Sequence, residues 1–187
     1  GKSALHYASG DGNYAIAQVL LDRGAQVDPR DNGGATPLMA AVSGRHGSIV
    51  ELLLSFGANV NERDDGGQPV LFRAVAANDR PILDTLLAAG ADPFVRDGRS
   101  TSILFLALTD DRADMAALFL ELGLPARDSN DQGQSPIHVA SQNGAARVVD
   151  LLLRYGADPN RRDAQARTPI MYAAESGNVD LFRLLLD

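Results

Sequence analysis

The sequence repeats itself every 33 residues, and this period constrains the fold more than any other feature. A glycine recurs at that spacing, at Gly24, Gly57, Gly90, Gly123 and Gly156. A branched apolar residue recurs in the same way, at Leu5, Leu38, Leu71, Leu104, Ile137 and Ile170. An acid or its amide forms a third series, at Asp31, Asp64, Asp97, Asn130 and Asp163. Three registers with one period indicate about six copies of one structural unit, and they favour a stacked array over a single globular core.

Each unit begins with the signals of a short helix. In the second unit Thr36 precedes Pro37, a pair that suits an N-cap followed by the first helical residue. Leu38, Ala41 and Val42 then share one face of that helix. We number this first helix by offsets from its Leu or Ile. Offsets 0, 3, 4 and 7 are predicted to face the core, and offsets 2, 5 and 6 to face away from it.

A second helix follows in each unit. In the second unit its apolar residues run from Ile49 to Leu54, and Gly57 is predicted to end it in the left-handed region. Residues 58–69 carry turn residues at both ends and predict an extended, hairpin-like connection. Two such short helices cannot bury their apolar faces alone, so neighbouring units must stack. The predicted fold class is an all-α repeat solenoid of helix-turn-helix pairs with β-hairpin-like loops.

These residues resemble the ankyrin repeat. The resemblance rests on the first helices at Asp31–Ala41 and Asn130–Ala140 and on the helix ends at Gly57–Asn61 and Gly156–Asn160. It covers the whole chain and implies one ankyrin-repeat domain, residues 1–187. The predicted repeats are approximately 1–30, 31–63, 64–96, 97–129, 130–162 and 163–187, the first and last incomplete. Because neither end carries a polar cap, we expect the chain to belong to a longer protein.

The motif content argues against an enzyme. The chain has no cysteine, which excludes thiol nucleophiles and thiolate-bound metals. It also lacks the phosphate-binding loop, the zinc-protease motif and the serine-hydrolase elbow. The resemblance implies that His6 and His138 hydrogen-bond within and between loops, and that His46 is structural. We therefore expect no catalytic residue, no cofactor and no metal.

Charge and hydropathy bear on the class of partner. The formal net charge of −7 argues against nucleic acid, and no apolar run approaches the ~20 residues that cross a membrane. Asp110, Asp111 and Asp114 form an acidic cluster. We interpret it as a solvated start of a helix, with a divalent cation or a basic partner as the alternative. An intracellular location is expected, while delivery into a host cell or the periplasm stays open.

The resemblance implies that a partner protein binds the concave face of the first helices and the loop tips. Offset 2, predicted to be exposed, holds Tyr7, Ala40, Arg73, Leu106, Val139 and Tyr172. The tips carry Arg30, Arg63, Arg96 and Arg162, either as exposed ion pairs with the adjacent Asp or as a cationic ladder. Phe94, in a slot that is otherwise polar, either packs against the fourth loop or is an exposed anchor. The predicted partner-binding residues are Arg63, Arg73, Phe94, Arg96, Arg99, Leu106, Tyr7 and Tyr172.

The sequence thus predicts a monomeric, non-catalytic module for protein–protein interaction. The arginines of repeats three and four favour an acidic or mixed acidic-apolar segment as the partner. Two alternatives stay open. In the first, the chain is a targeting or adaptor segment of a larger enzyme or secreted bacterial effector whose catalytic part lies outside it. In the second, it is a structural spacer, and its offset-2 and tip residues are freely replaceable.

Overall fold

The structure, a computed structural model, describes residues 1–108 and 112–186. These residues form two compact units, Gly1–Gly98 and Arg99–Asp187. Within the described ranges the regular structure consists of eleven α-helices and one 3₁₀ helix, with no named strand. Of the acidic cluster, Asp110 and Asp111 lie outside the described residues, whereas Asp114 is exposed at the start of a helix.

The first unit stacks three helix pairs. They are α1 (Ala4–Gly10) with α2 (Tyr14–Asp22), α3 (Pro37–Ser43) with α4 (Gly47–Ser55), and α5 (Val70–Ala76) with α6 (Arg80–Ala88). The first helices α1, α3 and α5 pack side by side, as do the second helices α2, α4 and α6. Leu38, Leu53, Leu71 and Leu83 are fully buried between them. The predicted stacking of short helix pairs is confirmed within this unit.

The second unit repeats the arrangement. Its elements are a 3₁₀ helix (Ile103–Leu108) with α7 (Ala113–Glu121), α8 (Pro136–Gln142) with α9 (Ala146–Arg154), and α10 (Pro169–Ser176) with α11 (Val179–Leu184). Helix α8 packs between the 3₁₀ helix and α10, and α9 packs between α7 and α11. One pair of helices therefore lies in each of the six predicted repeats.

The helix starts follow the sequence signals closely. Thr36 caps α3 by accepting a hydrogen bond from the Met39 amide, and Pro37 is the first helical residue, as predicted. Pro69 caps α5 without a side-chain bond because it has no acceptor. In the fourth repeat Ile103 replaces the proline, and the first helix is 3₁₀ instead of α. The loss of the proline does not by itself explain this difference, because Val70 holds the same position in α5, which is an α-helix.

In α3 the offset rule is confirmed at three of its four core positions, whereas in the sixth repeat Ala174, at offset 4, is exposed. Offsets 0, 3 and 4 of α3 are Leu38, Ala41 and Val42, and all three are fully buried. The prediction that offset 7 faces the core is wrong, because the residues at this offset in α3 and α5, Arg45 and Asn78, are exposed. These first helices end at offset 5, so offset 7 already lies in the turn, at positive φ.

Glycine and acid positions shape the loops as the sequence predicts. Gly57 ends the α4 segment at φ 85°, in the left-handed region. Asp31 accepts hydrogen bonds from the amides of Gly33 and Ala35, both at 2.9 Å. The hairpin-like loop after α4 closes through an antiparallel bridge between Arg63 and Pro69.

Candidate functional site

A cavity of about 400 Å³ opens on the face of the first helices in the first unit. We call the offset-2, -5 and -6 positions of α1, α3 and α5 the first-helix face. Most of the cavity's lining belongs to that face, as the helical period predicts. The lining residues are Lys2, His6, Tyr7, Gly10, Asp11, Asp31, Ala35, Ala40, Ser43, Gly44 and Arg73.

Arg73 forms one end of the cavity and is already paired. Its guanidinium donates to Oδ2 of Asp64 at 2.6 Å, in an ion pair of which both side chains are partly buried. A second nitrogen donates to the Ser43 hydroxyl at 3.3 Å. Arg73 thus links the third repeat's turn acid to the preceding first helix. The sequence had placed it on an open binding surface, and its intramolecular pairing was not foreseen.

Tyr172 is a correction to the predicted binding surface. It was expected to be exposed, yet only 5% of it is accessible. Its hydroxyl donates to Oδ2 of Asp163 at 2.6 Å and accepts from the Gln134 amide at 2.9 Å. The Arg167 guanidinium covers the ring at 3.9 Å from its centre, and His138 meets it edge-on. These contacts bury the residue inside the second unit.

Arg73 and Tyr172 share a register position, because each lies nine residues after the turn acid of its own repeat. In the second repeat the same position is Ala40, which is too short to reach Asp31. Within the described residues, Oδ1 of Asp31 accepts two amide hydrogen bonds and Oδ2 has no partner. The cavity therefore lies where a longer offset-2 side chain would be.

The ionisation of the turn acids follows from their contacts. Hydrogen bonds from Gly33 and Ala35 hold the pKa of Asp31 below its ordinary value. Burial acts to raise the pKa of Asp163, but hydrogen bonds from Tyr172 and the loop amides outweigh it and lower the pKa. Both acids are therefore anionic near neutral pH. Burial, together with the bond to Asp163, raises the pKa of Tyr172 and keeps its hydroxyl protonated.

The histidines serve the loops, as the resemblance implied. In α1, the Ser3 amide donates to Nδ1 of His6 at 3.1 Å, so Nε2 carries the proton and donates to the Ala35 carbonyl at 2.9 Å. His138 makes the equivalent contacts in α8, with carbonyls of the loop that follows α9. Burial lowers the pKa of His138 and favours its neutral form. Among the described residues, no group of three or more His or acidic side chains is placed to hold a metal ion.

Two of the tip arginines tie one loop to the next. Arg30 pairs with Glu62 and Asp65 of the loop that follows α4, each at 3.1 Å. Arg63 donates to the carbonyls of Gly67 at 2.9 Å and Arg96 at 2.5 Å. The expected pairing with the adjacent Asp is therefore replaced by contacts between successive loops, which hold the tips in register.

Phe94 lies at the tip of the third loop and is 56% exposed. The ring is therefore accessible to solvent, and its role as an anchor for a partner stays a prediction. Tyr7 is likewise 58% exposed, with the Lys2 ammonium 5.8 Å from the centre of its ring. Arg63, Arg73, Phe94 and Arg96 belong to the first unit, and Arg99 and Leu106 to the second. The composite patch that joins repeats three and four stays a prediction.

The cavity and the two carboxylates in its lining, Asp11 and Asp31, were not predicted from the sequence. From the sequence, Ala40 is one more member of the offset-2 series and Asp31 is a turn residue. The signal that could have found the site is the alternation of side-chain size at offset 2, since a small Ala40 stands between Tyr7 and Arg73.

None of the helices that the structure describes is long and apolar enough to span a membrane.

Comparisons with known proteins agree with this architecture. A family model described as "Ankyrin repeats (3 copies)" matches residues 1–64 and 71–163. A second, "Ankyrin repeats (many copies)", matches residues 48–87 and 147–186. No curated protein sequence matches the chain.

Several solved structures are similar in fold. A chain of the complex of the predatory endopeptidase Bd0816 from Bdellovibrio bacteriovorus with immunity protein Bd3460 has a TM-score of 0.89 at 24% identity, covering 99% of this chain and 97% of that chain. The ankyrin repeat domain of Bcl-3 has a TM-score of 0.84 at 27% identity, covering 100% and 86%. The ankyrin repeat domain of human ASB11 has a TM-score of 0.69 at 24% identity, covering 98% of each chain. The predicted fold class, an all-α repeat solenoid, is thereby confirmed.

Proposed function

Since the chain belongs to the ankyrin repeat family, we propose that it is a non-catalytic module that binds a partner protein through its first-helix face and loop tips. The observation that carries this proposal is the exposure of two aromatic side chains at those places, Tyr7 and Phe94. Aromatic residues are enriched among the few side chains that supply most binding energy. Neither residue is needed to fill the core.

The two places offer a partner different chemistry. The tip of the third loop presents an apolar ring at Phe94 beside the cationic Arg96, which suits an acidic or mixed acidic-apolar segment. Arg99 and Leu106, which belong to the second unit, stay predicted partner-binding residues of their own. The cavity on the first-helix face presents Asp11 and Asp31 together with the Tyr7 ring. A segment that spans both would carry acidic, apolar and basic side chains.

Partner capture with matched variants tests this proposal. The two test variants are Tyr7→Ser and Phe94→Ser. Their controls, Tyr14→Ser and Phe56→Ser, remove exposed aromatic rings from second-helix segments of the same unit. The four variants and the wild type are immobilised and exposed to extract of the producing cells. Affinities of each captured protein are then measured in purified form.

A partner is expected to bind the wild type and both controls equally, and to lose about tenfold or more in affinity for at least one test variant. All five proteins must show the same helical content by circular dichroism. A partner that loses affinity for the second-helix controls and keeps it for the test variants would contradict the proposed surface.

A further inference from the structure

We infer that the cavity on the first-helix face is a recognition site for a guanidinium group, so that an arginine of the partner protein enters between Tyr7 and Ala40 and pairs with Asp31. This inference rests on the proposed function, because the partner supplies the arginine. Beyond the proposed function, the inference names an arginine as one contacting side chain of the partner and Asp31 as the residue that recognises it.

In two repeats, the side chain at offset 2 donates a hydrogen bond to the turn acid of the same repeat. In the third repeat the offset-2 guanidinium of Arg73 bonds to Oδ2 of the turn acid Asp64 at 2.6 Å. In the sixth, the offset-2 hydroxyl of Tyr172 bonds to Oδ2 of Asp163 at the same distance. Both acids thus use their second oxygen to accept a strong hydrogen bond from offset 2.

The second repeat has the same acid without the donor. Asp31 keeps its two amide bonds through Oδ1, and its pKa is lowered, so the carboxylate is ionised. Offset 2 is Ala40, and the volume that a longer side chain would fill is open as part of the 400 Å³ cavity. That volume lies within the ~300–1,000 Å³ of pockets that hold small ligands. A donor from another molecule can therefore take the position that Arg73 takes in the third repeat.

The charges around the cavity favour a cation at this point. Asp11 and Asp31 both belong to the lining, so the cavity carries two carboxylates. The positive charge of Arg73 at the far end is matched by Asp64. Lys2 also lines the cavity, and its charge contributes to the lowered pKa of Asp31, so two carboxylates stand against this one further cation. Its ammonium lies 5.8 Å from the centre of the Tyr7 ring.

Arginine fits better than lysine for a geometric reason. The guanidinium is planar and presents several donors in a fixed fork, and it stacks on aromatic rings. Arg73 uses this property in the third repeat, because two of its nitrogens bond to Asp64 and Ser43 at once. The cavity likewise offers the Asp31 carboxylate and, at its rim, the exposed ring of Tyr7.

A small probe tests the site directly. N-acetyl-arginine methylamide is titrated into the ¹⁵N-labelled domain, and amide shifts of Tyr7, Gly33 and Ala35 are followed by NMR. N-acetyl-citrulline methylamide serves as the comparator, since it is nearly isosteric and uncharged. The variant Asp31→Asn removes the charge but keeps the turn, because Asn130 accepts the equivalent two amide bonds in the fifth repeat.

The arginine probe is expected to bind at least about tenfold more tightly than the citrulline probe, and Asp31→Asn should abolish that difference. Ala40→Arg should weaken the probe by a similar factor, because it fills the cavity with the chain's own guanidinium. Equal affinity of the two probes, shifts confined to other residues, or unchanged binding by Asp31→Asn would overturn the inference. The capture experiment uses no probe, so the proposed function can stand when this site fails.

Discussion

Replacing Tyr172 by phenylalanine removes one oxygen from the centre of a buried polar network. The hydroxyl joins the carboxylate of Asp163 to the amide of Gln134, and all three residues are at least 90% inaccessible. The phenyl ring would keep its contacts with Arg167 and His138. The substitution therefore separates the hydrogen bonds from the packing.

The expected loss follows from the groups left behind. A hydrogen bond to a charged group contributes about 1.5–3 kcal/mol, and an unpaired buried polar group costs about 1–3 kcal/mol. Asp163 keeps its bonds from the amides of Gln165 and Arg167, which moderate the effect. We expect the free energy of unfolding to fall by about 2–3 kcal/mol.

Urea titrations followed by circular dichroism measure this change. Tyr155→Phe is the matched control, since Tyr155 is exposed and its hydroxyl makes no hydrogen bond within the described residues. The control should change the free energy of unfolding by less than about 0.5 kcal/mol. A loss for Tyr172→Phe as small as that of the control would refute the assignment of Tyr172 to a stabilising network.

Three further predictions concern single residues. Ala166→Gly should raise the free energy of unfolding by about 0.5–1 kcal/mol, because Ala166 holds a φ of 61° that glycine adopts without a steric cost. A urea titration that shows no gain in stability would argue against strain at this position. His138→Gln should flatten the dependence of thermal stability on pH. The pKa of His138 is lowered in the fold, so the neutral ring stabilises fully above the ordinary value of 6.5 and less as the pH falls below it. If the melting temperatures of the wild type and the variant change equally between pH 7.5 and 5, the pKa of His138 is not lowered by folding. Arg63→Met should cost about 1 kcal/mol, because Arg63 donates to two loop carbonyls, and equal urea midpoints would show that these bonds are not stabilising.

Local features of the fold could be predicted because each depends on residues close in sequence. Thr36 and Pro37 start a helix through their own backbone and side-chain geometry, and Gly57 ends one through its positive φ. The burial of Leu38 follows from the helical period within one repeat. The 33-residue period then extends these local assignments along the chain.

The features that could not be predicted depend on neighbouring repeats. Tyr172 and Arg73 have the same offset, yet the first is buried because Gln134 and Arg167 close around it. The cavity arises because the short Ala40 lies between two repeats with larger offset-2 residues. A single repeat contains no information about the contact with Gln134 or the space beside Ala40, since both depend on which side chains the adjacent copies provide.

The central claim is that the first-helix face and the loop tips form the partner-binding surface. Oxidative footprinting of aromatic side chains tests it directly, because the first unit has exposed rings both on the proposed surface and on the second-helix segments. At saturation with a captured partner, oxidation of Tyr7 or Phe94 should fall several-fold, while Tyr14 and Phe56 on the second-helix side keep their rates. Protection of Tyr14 and Phe56 with unchanged rates at Tyr7 and Phe94 would contradict the claim.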